Sequence, residues 1–200
     1  MPSSATNHRP APVRRQLLKG ATDHLHEAMH ARPELAALLD GSPSRAGYAA
    51  VLRAFYLFHS RSLAIEQAAS AALGESGGGA HALNRIAAAS SDLEALGVSV
   101  PPAEPAPASA TAAWNVGYSY VTRGSALGGK VLHRALEIAP NWARSARLFF
   151  AGSGENGTAW RLFCAGLDGN AALEGCDDEL VEGAKAAFQD FRRILEECCS

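Results

Sequence analysis

Apolar residues along this chain recur at helical intervals, and nowhere do they keep the two-residue alternation of a half-buried strand. From Val13 to Arg32 the stripe Leu18, Ala21, Leu25, Ala28 and Met29 marks one face of a helix that Pro33 stops. Glu34–Leu39 reads as a short turn closed by Asp40-Gly-Ser-Pro43. Ser44 is placed to cap a long helix reaching about Leu73, which carries Tyr48, Leu52, Phe55, Tyr56 and His59. Glu75-Ser-Gly-Gly-Gly79 breaks it. Further helices are expected over about 80–96, 109–139, 141–150, 155–167 and 177–198. Residues 1–12 read as a disordered leader, and Pro101–Pro107 as a polyproline-like connector too short to hold separate domains apart. The expectation is a single all-α domain over residues 13–200.

One helix breaks its own propensity rules. Tyr118–Leu132 is bounded by good helix formers, yet Gly124, Gly128 and Gly129 sit inside it. Each costs roughly 1 kcal/mol against Ala in a helix interior. The offset is a backbone that must bend or let another body come close. Gly124 and Gly128 lie one turn apart, so they bare a strip on one face that suits a flat ligand. Close helix–helix packing is the alternative. Gly124-Ser-Ala-Leu-Gly-Gly-Lys130 also fits the spacing of a phosphate-binding loop. Val131 stands where that loop needs Ser or Thr for magnesium, and no strand precedes it.

Bulk composition narrows the partners. The 200 residues suffice for one domain with a real core, and 48% hydrophobic against 19% charged residues is a globular balance. A net charge of −2 argues for neither nucleic acid nor an acidic membrane surface. No run approaches the roughly 20 apolar residues of a membrane span. Cys164, Cys176, Cys198 and Cys199 follow no metal or disulfide spacing, which fits a reducing cytoplasm.

The first helix carries three of the seven histidines, His24, His26 and His30. His26-Glu27-Ala-Met-His30 spells H-E-x-x-H, whose histidines share a face and can hold zinc once a third ligand joins them. No such ligand stands out downstream, and structural histidines remain an equal reading. Lys19 offers a third one. It lies seven residues before His26, on the same face and roughly 10 Å away along the axis. That face presents an imidazole for a metal and an ammonium for a carboxylate, with Thr22 between them. His8, His81 and His133 read as surface residues.

Three stretches together resemble the haem oxygenase family, in particular its bacterial branch associated with bilin-binding photoreceptors. Leu17-Leu-Lys-Gly-Ala-Thr-Asp-His-Leu-His26 is similar to the family's proximal helix, and Tyr120–Leu132 to its distal helix. Leu148–Phe163 is similar to the segment entering a later haem-contacting helix. The resemblance implies an all-α bundle with a kinked, Gly-rich distal helix. It makes His26 the iron ligand and Lys19 a propionate partner, and sets Gly124, Gly128 and Gly129 against the haem. It puts Tyr120 and Arg161 near the propionates, and Ser125, beside Gly124, at the ordered water that delivers protons. The sequence departs from the family pattern at Ser125 and Ala165, and at Arg123 from the acid expected in the bacterial branch. The implied reaction is cleavage of haem at a meso carbon to biliverdin, carbon monoxide and iron, with oxygen and electrons from a reductase or ferredoxin. A bilin-binding photoreceptor is an implied partner. The alternatives are a haem-binding or sensing relative without turnover, and zinc hydrolysis through His26, Glu27 and His30.

Overall fold

Ser44 opens the longest helix as its position in the sequence requires, its hydroxyl accepting a hydrogen bond from the Gly47 amide at 3.0 Å. In this computed structural model, which describes residues 13–100, 102, 111–152 and 156–200, nine α-helices form and no strand is present among the described residues. In chain order they are α1 (Arg14–His30), α2 (Pro33–Leu39), α3 (Arg45–Ala72), α4 (Ala80–Ala95) and α5 (Ala112–Ala135). There follow α6 (Asn141–Arg144), α7 (Leu148–Ala151), α8 (Asn156–Gly169) and, after a 3₁₀ turn at Ala171–Leu173, α9 (Asp177–Cys199). The expected leader, residues 1–12, lies outside the described residues, as does the connector apart from Pro102.

Two expectations change in the structure. Glu34–Leu39 is a helix, because Pro33 sits at the first position of α2, where a missing amide hydrogen is harmless. The same proline therefore ends one helix and starts the next. The single helix expected over 141–150 is split into α6 and α7. Asp92 on α4 causes the split, accepting from the amides of Leu148 at 2.9 Å and Phe149 at 2.7 Å. Those donors would otherwise continue the helical ladder from α6. On α1 the buried line is narrower than the sequence stripe: Leu18, Thr22 and Met29 are buried, whereas Ala28 faces outward.

The most extensive helix pairing is between α5 and α9, and two glycines make it possible. A Cβ on Gly117 would lie 1.9 Å from the Leu180 carbonyl oxygen, and one on Gly183 would lie 2.0 Å from the Trp114 carbonyl oxygen. Each helix thus presents its bare backbone to the other. Tyr118 locks the same crossing by donating to Asp190 at 3.0 Å. Helix α3 packs across both, with α4 behind it, and α1 lies on α9. Phe55, Phe58, Phe149, Phe150 and Phe191 fill the centre, with ring centroids 4.6–6.1 Å apart.

Arginines hold α1 at its two ends. The Arg14 guanidinium donates to the carbonyls of Leu167, Asp168 and Asn170, at and just beyond the end of α8, at 2.9–3.3 Å. These include groups that a helix end leaves without intrahelical partners. Arg32, just past the other end of α1, pairs with Glu196 on α9 at 3.1 Å.

Candidate functional site

A cleft of about 670 Å³ separates α1 from the second half of α5, with Phe55, Phe58, Phe188 and Phe191 at its apolar base. That volume falls within the roughly 300–1,000 Å³ of ordinary cofactor pockets, as does a largely apolar wall with a few polar groups. Lys19, Thr22 and His26 open onto it from α1, and Tyr120, Gly124, Ser125 and Gly128 from α5. Of the residues to which the resemblance gives a role toward haem, the structure therefore gathers all but Gly129 and Arg161 around one cavity.

His26 is the candidate metal ligand. Burial against the cleft wall, and then the neighbouring His30, hold its imidazole below the ordinary value, which keeps it neutral at pH 7. Its Nε2 lies 3.2 Å from Nε2 of His30, and Phe188 meets its ring edge-on at 6.3 Å. Lys19 pairs with Asp23 at 2.8 Å, with both side chains well exposed. Such a pair is weak enough to exchange for a ligand carboxylate. Thr22 is buried and its hydroxyl donates to the Leu18 carbonyl at 2.8 Å, so it serves α1 itself.

The facing wall is helical without interruption. Helical bonding runs through Gly124, Gly128 and Gly129, and none of the three has a positive φ. This also disposes of the phosphate-loop reading, since amides committed to a helix cannot cradle phosphates. The three glycines differ. A Cβ on Gly128 would meet nothing within 4 Å, so its missing side chain is open cleft. A Cβ on Gly124 would touch the Trp160 ring at 3.3 Å. Gly129 is absent from the cleft wall: it is buried on another side of α5, where a Cβ would lie 3.1 Å from the Phe150 carbonyl oxygen. The Ser125 hydroxyl donates to the Thr122 carbonyl at 2.7 Å, which leaves its oxygen free to accept from a water in the cleft. Burial pushes the Tyr120 phenol up to about 12, so it stays a donor at neutral pH.

Arg161 does not line the cleft. It is exposed on α8, donating to the Gly157 carbonyl at 3.3 Å and Thr158 Oγ1 at 3.1 Å. Two of the departures from the family pattern also sit apart from the cleft. Arg123 donates from Nη1 to Glu75 at 2.8 and 3.1 Å and from Nη2 to Ser70 at 2.8 Å, which ties α5 to the end of α3. Ala165 is an exposed position of α8. Trp160 carries no expected role, yet it stands on the cleft wall with its ring 5.2 Å from that of Tyr120. Its only signal in the sequence is its place in the third matching stretch.

The zinc reading fares less well. His26 and His30 are near enough to share an ion, but no third His, Cys, Asp or Glu joins them among the described residues. The donor set suits haem better: one neutral imidazole, an apolar slot, an exchangeable cation at the rim, and a helix face bared by glycine.

Comparison with known proteins agrees with that geometry. The family model described as Heme oxygenase matches residues 14–197. A haem oxygenase of Xanthomonas campestris pv. campestris is 36% identical over 112 residues, which is 56% of this chain and 67% of that protein. The fold is similar to that of the NO- and CO-bound haem oxygenase of Neisseria meningitidis. That match has a TM-score of 0.72 and 23% identity, over 94% of this chain and 93% of that one. It is also similar to the haem oxygenase of Leptospira interrogans, with a TM-score of 0.68 and 17% identity over 92% and 99% of the two chains. With a cleft of this chemistry and a family match along nearly its whole length, the chain belongs to the haem oxygenase family.

Proposed function

We propose that this protein cleaves haem at a meso carbon to biliverdin, carbon monoxide and iron, using oxygen and electrons from a reductase or ferredoxin. The observation that carries the reading is an imidazole on α1 facing a glycine-bearing strip of α5 across one apolar cleft. When bound, haem supplies both the iron that activates oxygen and the ring that is oxidised.

The chain's own residues orient and protonate. His26 would hold the iron from α1 through a ring nitrogen, giving up its contact with His30. Gly128 would leave room on the α5 wall for a bound group, and Gly124 would let Trp160 and the α5 backbone stand close beside it. Ser125 would accept from a water at that side, and the water would pass on the proton. Lys19, released from Asp23, would pair with a propionate and so choose which edge of the ring faces the α5 strip. The aromatic base keeps bulk water out. Tyr120 adds a protonated phenol at the rim. Arg161 would have to swing round from its bonds on α8 to take part in binding.

A cytoplasmic location and a photoreceptor partner belong to the same reading. No helix among the described residues is long and apolar enough to cross a membrane. Four cysteines left as thiols fit a cytoplasmic setting. A bilin product suits supply to a bilin-binding photoreceptor.

The deciding experiment is a hemin titration of the haem-free protein, followed by a reductase system in air. A Soret band that decays to biliverdin absorption establishes the reaction. A Soret band that persists through many reducing equivalents would leave a haem binder without turnover.

A further inference from the structure

Behind α5, on the side away from the cleft, three ligand-type side chains converge in the interior. His59 and Glu66 on α3 are completely buried, and His81 on α4 is half-buried. One ligand atom from each lies within 4.8 Å of the others. His81 is not the surface residue its sequence context suggests; its position at the start of α4 turns it inward onto α3.

These groups face one another without bonding one another. Both ring nitrogens of His59, both of His81 and Oε2 of Glu66 lack hydrogen-bond partners. His81 Nδ1 lies 3.3 Å from Glu66 Oε2 but out of line for a hydrogen bond. The other Glu66 oxygen is held by Thr122 of α5, which donates to it at 2.7 Å. A buried carboxylate with one oxygen fixed and the other aimed at two unpartnered imidazoles is expensive unless something sits among them.

The surrounding charges leave room for a cation. Arg123 approaches Glu66 Oε2 only to 3.9 Å through Nε, and its Nη groups are taken by Glu75 and Ser70. Arg85 spends its charge on the Phe149 carbonyl at 2.6 Å and lies 3.5 Å over the Phe149 ring. Asp92 accepts two amide hydrogens beyond it. Two guanidinium groups thus stand against the three carboxylates Glu66, Glu75 and Asp92, a net negative surrounding. A recess of about 40 Å³ reaches His81 between Arg123, Ala126, Ala159 and Trp160, large enough for an ion's entry or a coordinated water.

We propose that His59, Glu66 and His81 form a binding site for one borderline divalent transition ion, of the zinc or ferrous iron class. Two imidazoles and a carboxylate with an open fourth position form a donor set both ions accept. Donor atoms around a tetrahedral zinc ion lie roughly 3.3–3.6 Å apart at its usual bond lengths. The triad therefore closes on an ion with small side-chain rotations. The site is separate from the cleft and does not depend on haem cleavage.

The test uses the full chain, haem-free and chelator-washed, titrated with Co²⁺ and Zn²⁺. A His30→Ala background silences the exposed His26–His30 pair. The site requires visible Co²⁺ bands at one ion per chain, displaced by Zn²⁺, and a Zn²⁺-dependent rise in Tm. In that background His81→Ala should weaken uptake by more than roughly 100-fold, beyond what loss of an outer partner causes. Glu66→Gln, which keeps the Thr122 bond, should do the same without unfolding. Absence of bands would mean that the triad encloses only water and would overturn the proposal. Bands that survive both substitutions would overturn it equally.

Discussion

Helix α5 uses glycine for two opposite purposes. In its first half Gly117 removes a side chain so that another helix can fill the space, with the α9 backbone where a Cβ would be. In its second half Gly128 removes a side chain so that nothing fills the space. One glycine is structural and densely packed; the other keeps a void for a ligand. The same residue type in the same helix therefore reports opposite things, and only the neighbouring element tells them apart.

That contrast can be broken by substitution, with the largest effect in the packed half. Gly117→Ala and Gly183→Ala each force a Cβ into main-chain atoms, which cannot rotate away as side chains do. Each should lose more than the roughly 1–3 kcal/mol of ordinary overpacking. Thermal melts should show little folded protein; melting like the parent would remove the α5–α9 clasp from the account. Next comes His26→Ala, expected to abolish the histidine-ligated haem spectrum while leaving Tm nearly unchanged. An unaltered spectrum would move the ligand to His30 or His24.

Gly128→Ala sharpens the comparison from the other side. It should gain up to about 1 kcal/mol in stability from helix propensity, yet slow haem turnover. Full activity with the added methyl would show that the open strip has no catalytic use. The smallest effect is expected from Lys19→Ala, since its pairing with Asp23 is solvent-exposed. Haem affinity should change little while the biliverdin isomer mixture broadens. A single unchanged isomer would release Lys19 from steering.

What the sequence made legible was periodic or local. The long helices, the cap at Ser44 and the open position at Gly128 could be read because each signal lies within a few residues. Gly129, set against the haem with the other two glycines by the resemblance, lies on another side of α5, because one step along a helix turns about 100° and only the fold shows that this turn meets Phe150. Gly117 sends no local signal at all; its partner Gly183 is far along the chain. His81 looks like a surface residue in the sequence because its companions come from α3. Helix α2 has only seven residues, too few to display a period, and the break between α6 and α7 is imposed by Asp92 from another helix.

Arg14 and Arg32, at and just beyond the two ends of α1, make the wall that carries His26 a beam pinned at both ends. The Arg14 pin is nearly enclosed and set into a helix end, whereas the Arg32 pin leans on an exposed carboxylate. The second pin is the one that dissolved ions can screen. The cleft should therefore unzip from the His30 end toward Arg14, and passage through it should quicken as ionic strength rises.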